Sequence, residues 1–108
     1  MKSTTVRKLA KVVRSKNAGP FELTYDIIFK SAAMFRKVQT QSSISRPWVR
    51  RVLGVKDHDI LGICWFEPAS ALKITVRRTV SSGSPADRDV YGAQQHVPLM
   101  NAKVEWKK

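Results

Sequence analysis

The sequence predicts an α+β fold: a mainly antiparallel sheet with two short helices packed on one face. Two patterns and one ordering predict it. Segments rich in Val, Ile and aromatic residues alternate apolar with polar side chains, the period of a half-buried strand. Two central stretches instead repeat apolar residues at helical spacing. The element order, ββααβββ, gathers both helices between strands that can share one layer, so both helices cover the same face of it. A length of 108 residues fits one domain, and 43% apolar with 26% charged residues suits a globular chain with a modest core.

Residues 9–15 (LAKVVRS) are Val-rich and moderately alternating, and read as a first strand whose end delivers Arg14, Ser15, Lys16 and Asn17. Asn17, Ala18, Gly19 and Pro20 then make a turn, since asparagine tolerates positive φ, glycine adopts it freely and proline fixes its own φ. In residues 21–29, Phe21, Leu23, Tyr25, Ile27 and Phe29 point to the core, while Glu22, Thr24 and Asp26 point the other way. Ser31 caps a helix running to Gln39, with Met34, Phe35 and Val38 as its core stripe. Residues 39–44 are a polar connection, and Ser45 caps a second helix with Pro47 in its first turn. Trp48 with Val52 and Val49 with Leu53 are i, i+4 pairs facing the sheet, and Gly54 ends the helix. Residues 55–59 form a turn that exposes His58 between two aspartates, as a loop residue and not a metal ligand. Residues 60–66 (ILGICWF) read as a largely buried third strand, broken by Glu67, Pro68 and Ala69. In residues 71–78 (ALKITVRR), a fourth strand, Leu72, Ile74 and Val76 face the core and Lys73, Thr75 and Arg77 face away. Residues 102–106 (AKVEW) close as an edge strand, followed by lysines that discourage edge-to-edge pairing. The expected architecture is a variant of the ferredoxin-like sandwich with a long ordered C-terminal loop.

That loop is residues 81–98 (SSGSPADRDVYGAQQHVP), nearly all polar, glycine or proline and too long for an idle connection in so short a chain. It gathers Ser82, Asp87, Asp89, Tyr91, Gln94, Gln95 and His96, which can accept, donate and titrate. Tyr91 can bury its ring while its hydroxyl stays paired, so the loop is expected to pack on the body or on a partner. The formal charge of +12 and pI near 10.5 point to an anionic partner or ligand. Six bases and no acid fall in residues 1–16, so half of that excess lies in the first strand and its approach. The N-terminus has charges where a signal peptide needs an apolar block, and no apolar run is long enough to span a membrane, so a cytoplasmic chain without membrane contact is expected. The single Cys64, between Ile63 and Trp65, reads as a small buried hydrophobe and not a nucleophile.

Three polar sets can converge on the face opposite the helices: Arg14, Lys16 and Asn17 from the first turn, Glu22, Thr24 and Asp26, and Lys73, Thr75 and Arg77. If that face is bare, the long loop can fold over it. Arg14, Ser15, Asn17, Gly19, Lys73 and Arg77 are the candidate anion-binding residues, with backbone N–H groups around Gly19 adding to the side chains. The candidate catalytic residues are His96, Asp26 and Lys16, because histidine titrates near neutral pH and a carboxylate can fix its tautomer. No spaced zinc motif, Walker loop, nucleophile elbow or dinucleotide fingerprint occurs, and no metal is expected. Arg14→Ala and His96→Ala are expected to impair function more than stability, since neither residue lies on a core stripe.

The strings VVRSKNAGPFELTYDIIF (residues 12–29), ALKITVRR and SGSPADRDVYGAQQHVPL (residues 82–99) resemble the family catalogued as domain of unknown function 4387. QTQSSISRPWVRR, through the helices, is more basic than that pattern. Members of the family are often encoded beside, or fused to, larger proteins resembling the acyclic-terpene-utilisation protein AtuA. The Arg14-Ser15 pair before Gly19 also distantly resembles the small domain that ends some AtuA-like proteins. The resemblance implies a hetero-oligomeric accessory subunit, non-catalytic alone, in an enzyme with an AtuA-like larger subunit and a small anionic substrate. The resemblance supplies no mechanism; chemistry of lyase or hydratase type on an organic acid or acyl-CoA is the expectation set beside it, with the cofactor left open. Two alternatives stand beside it: a basic nucleic-acid-binding module, and a purely structural assembly domain. Phe21, Tyr25, Phe29, Trp48 and Trp65 all fall on core stripes, which argues against a base-stacking platform.

Overall fold

In the computed structural model, which describes residues 2–77 and 97–107, the chain opens with β1 (Ser3–Thr5), α1 (Val6–Leu9), β2 (Ala10–Gly19) and β3 (Glu22–Phe29). It continues through α2 (Ala32–Gln41), α3 (Arg46–Leu53), β4 (Ile60–Phe66), β5 (Ala71–Arg77), α4 (Val97–Met100) and β6 (Lys103–Glu105). Single 3-10 turns, Asp57–Asp59 and Glu67–Ala69, bracket β4. Four strands form an antiparallel sheet in the order β2-β3-β5-β4, and β1 pairs with β6 in a separate antiparallel ribbon. The class is α+β, as the patterning predicts, with α2 and α3 between two hairpins.

Local chemistry sets the helix limits. The Met34 N–H donates to Ser31 Oγ at 3.0 Å, which satisfies one of the first-turn donors of α2. Gly54 ends α3 at φ 65, a left-handed conformation that a side chain resists. Arg46, at the start of α3, donates from Nε to Asp57 Oδ1 at 2.7 Å and from Nη2 to the Ile60 carbonyl at 3.1 Å, so the helix is tied to the start of β4.

The alternation of β3 and β5 turns Leu23, Tyr25, Ile27, Leu72, Ile74 and Val76 to one side, where they join Phe35, Val38, Trp48 and Val49 in a single buried cluster. Phe35 lies 6.1 Å from Phe29 and 6.0 Å from Trp65, centroid to centroid, seating α2 on one end of the sheet. Trp48 Nε1 donates to the Lys103 carbonyl at 2.9 Å, which ties α3 to β6. Val6, Leu9, Leu99 and Val104 complete the cluster, so the β1–β6 ribbon and its flanking turns of helix belong to the core.

Several expectations change. The first strand continues to Gly19, and the turn falls at Pro20 and Phe21. Gly19 sits opposite Glu22 in the β2–β3 ladder, and among the described residues positive φ occurs at Gly54 and Ser70, not at Asn17 or Gly19. Phe21 is therefore in the turn and 54% exposed, off the core stripe. β4 is an edge strand in which Ile60 alone is buried, with Cys64 exposed instead of packed, because its side chain falls on the face that the helices leave uncovered. The last strand pairs with β1 and not with an edge of the main sheet, and Val104 is taken into the core at 0% exposure. Residues 81–96 of the expected C-terminal loop lie outside the described residues, and its last two, Val97 and Pro98, open α4 instead of continuing a loop.

Candidate functional site

The face of the sheet opposite the buried cluster is assembled by register. Arg14 pairs with Asp26, Asp26 with Lys73, and Lys73 with Cys64, so these four residues form one row across β2, β3, β5 and β4. Because side chains alternate along each strand, the rows two residues away share that face. On one side lie Lys16, Thr24 and Thr75, with Gly62 at the end, and on the other lie Val12, Ile28, Ala71 and Phe66. Glu22 and Arg77 pair at the far end.

Arg14, Lys16, Asp26, Lys73 and Arg77 thus share one face, whereas Ser15 and Asn17 alternate to the other side of β2. Ser15 is buried at 8% exposure, opposite Tyr25. Arg77 stands four residues along β5 from Lys73, about 13 Å away at strand rise. Gly19 offers no nest of backbone donors, since it is held within the ladder. His96 and the loop candidates Ser82, Asp87, Asp89, Tyr91, Gln94 and Gln95 lie outside the described residues.

Asp26 is the centre of the row. Its residue exposure is 3%, although its neighbours Arg14 and Lys73 are exposed. The Arg14 Nε donates to Asp26 Oδ2 at 3.1 Å, an ion pair whose guanidinium side is 59% exposed and whose carboxylate side is 5% exposed. Asp26 Oδ1 is buried and has no hydrogen-bond partner among the described residues. An unmet buried acceptor costs roughly 1–3 kcal/mol. Lys73 Nζ stands 6.0 Å from the centroid of the Phe66 ring, a loose cation–π contact that keeps the ammonium on the face.

The apolar strip beside this row escaped the sequence reading. Val12 is 39% and Phe66 43% exposed. The signal was present for Val12, Ile28 and Ala71, which have the parity of the polar residues of their own strands, but not for Phe66, whose face follows from the register shift between Ile60 and Gly62. Among the described residues no group of three His, Cys, Asp or Glu side chains is placed to hold a metal ion, and His58 Nε2 lies 3.6 Å from Asp59 Oδ1 in a turn with its ring 72% exposed. No helix of the described residues is long and apolar enough to cross a membrane.

An α+β domain with helices on one face of its sheet, and a carboxylate flanked by cations on the other, is the class that fold and face define. The chain belongs to the family described as Domain of unknown function (DUF4387), whose model matches residues 6–103. No curated protein and no solved structure matches the chain significantly.

Proposed function

We propose that the chain is the accessory subunit of a two-component metabolic enzyme, not catalytic alone, whose sheet face opposite the helices contributes an anion-binding surface to a site completed by an AtuA-like larger subunit. The observation that carries this reading is the row Arg14, Asp26 and Lys73, with Lys16 in the next row. Arg14, Lys16, Lys73 and Arg77 against Asp26 and Glu22 leave the described face net positive, and the exposed guanidinium and ammonium groups suit a carboxylate or the phosphates of an acyl-CoA. The excess of positive charge over the whole chain, +12, draws anions toward it. The reaction of the assembled enzyme is of lyase or hydratase type on an organic acid or acyl-CoA, with His96 and Lys16 as the residues this chain would lend to it.

Purification from the native host at native expression should bring down a stoichiometric larger partner; a lone small protein would overturn the reading. In the reconstituted complex, Lys16→Ala and His96→Ala should each lower activity at least about tenfold while the complex stays intact, as expected for lost charge-assisted or proton-transfer contacts. Activity that merely tracks complex formation would make the chain a structural assembly domain instead.

A further inference from the structure

The positive charge of this chain is not spread evenly over the fold. Residues 30–56, which hold α2, α3 and the segments beside them, carry seven bases and no acid. One of the seven, Arg46, is paired with Asp57. The sheet face has a smaller excess, Arg14, Lys16, Lys73 and Arg77 against Asp26 and Glu22. Arg36, Lys37, Arg50 and Arg51 are all exposed, because Phe35 and Val38 of α2 and Trp48 and Val49 of α3 turn the other side of each helix into the core. β6 joins the two helices into one layer. Lys37 Nζ stands 4.5 Å from the centroid of the Trp106 ring, the Lys107 N–H donates to the Gln41 carbonyl, and Trp48 Nε1 donates to the Lys103 carbonyl. Lys103 and Lys107 are exposed as well, and Glu105 is the one acid of β6.

The helices do not need this charge for themselves. Neither has an acid in its first turn, where the helix dipole favours one, and Arg46 and Arg50 are like charges one turn apart. Only Arg50 and Arg51, in the last turn of α3, stand where the dipole favours cations. The surroundings of the bases select a partner. Among the described residues the exposed large hydrophobics are Val12, Phe21, Leu61 and Phe66, all in the sheet strands or their turn, so the helical layer has no such side chain to insert into a membrane. Trp106 is half-buried with the Lys37 ammonium over its ring, which leaves no free platform for a nucleic-acid base. A nucleic acid would be held through phosphates alone, a contact that salt weakens steeply. Guanidinium groups on short helices locked to a core suit carboxylates that a folded protein also holds in place. We propose that the outer side of this layer docks an acidic protein surface, with Arg36, Lys37, Arg50, Arg51, Lys103 and Lys107 as its cations. The proposal rests on the two-component reading above and names the face, and the chemistry, by which the larger subunit is held.

The test is an NMR titration of the isotope-labelled full chain with poly-L-glutamate at about 50 mM salt. It is repeated with Arg50→Glu/Arg51→Glu on the helical layer and with Lys16→Glu/Arg77→Glu on the sheet face. Each variant replaces two bases by two acids, so net charge falls equally in both. Saturable shifts along α2, α3 and β6 are expected in the wild type, with affinity about tenfold lower in the helical variant and lower by about threefold or less in the sheet-face variant. Equal weakening, shifts centred on the sheet face, or no saturable binding would overturn the proposal. Duplex DNA that still shifts the helical layer at about 200 mM salt would overturn it in favour of a nucleic acid, and phosphatidylserine vesicles that shift the layer where polyglutamate does not would do so in favour of a membrane. If the Arg50→Glu/Arg51→Glu variant fails to fold, as circular dichroism would show, Arg36→Glu/Lys37→Glu takes its place. A larger partner captured from the native host by the sheet-face variant and lost by the helical one would support both readings. Its capture by both variants would sink only this one, and polyglutamate binding localised to the helical layer with no partner captured would sink only the subunit reading.

Discussion

Arg14 and Asp26 behave as a unit, and their unequal exposure decides what a substitution does. A fully exposed ion pair contributes about 0–1 kcal/mol, because water screens it. Here the carboxylate is buried, so Arg14→Ala strands an acceptor that water reaches poorly, and a loss of about 1–2 kcal/mol is expected. Arg14 is thereby tied to stability, more than its exposed guanidinium or its place off the core stripes suggests. Urea denaturation of Arg14→Ala, Asp26→Asn and the double variant should return a coupling energy of at least about 0.5 kcal/mol. A coupling near zero would mean that the pair is idle. The cross-strand contact itself was not legible in the sequence, since it depends on the register that places residue 14 opposite residue 26.

At the scale of elements, two serines that look alike in sequence separate in structure. Ser31 and Ser45 both precede helices, and both have extended backbone at the cap. Ser31 accepts from the Met34 N–H, whereas the Ser45 side chain makes no cap bond and donates to the Ser43 carbonyl at 3.2 Å. Ser31→Ala should therefore cost about 1 kcal/mol, and Ser45→Ala should cost distinctly less. Thermal unfolding of the two variants compares them directly, and equal losses would contradict the assignment. The start of α3 relies instead on Arg46 and its bonds to Asp57 and Ile60. Capping residues and apolar stripes are local, which is why the positions of α2 and α3 could be read in advance. α1 was passed over because Arg7 and Lys8 dominate its four residues, although Val6 and Leu9 have the i, i+3 spacing of a buried face.

Over the whole molecule, charge and aromatic exposure bear on the alternative of nucleic-acid binding. Phe21 and Phe66 are exposed at 54% and 43%, so the argument from wholly buried aromatics loses part of its force. They sit at opposite ends of the sheet, in the β2–β3 turn and on edge strand β4, and do not form one stacking platform. With a net charge of +12, weak binding to arbitrary DNA is expected at low salt. That binding should fall by at least about a hundredfold between 50 and 200 mM salt, as counterion release requires of a contact with several phosphates. Fluorescence anisotropy over a salt series checks this, and affinity that survives the higher salt would favour the nucleic-acid reading.

The sequence by itself determined the family pattern, the α+β class, the two central helices and the bounds of β4, because alternation, caps and turn residues act over a few neighbours. It also placed Glu22, Thr24, Asp26, Lys73, Thr75 and Arg77 off the core stripes, and the structure puts them on one face. Only the tertiary structure decided which strands are edges. With β5 held between β3 and β4, the strand ILGICWF is left at the margin with Cys64 exposed, and the C-terminal strand pairs with β1 through a ribbon that covers the helical side. Hydrophobic content alone cannot distinguish a central strand from an edge, since burial depends on what lies beside and above it. The same reason buried Asp26 on the face opposite the core: the strands that flank it bring Arg14 and Lys73 beside it from twelve and forty-seven residues away in the chain.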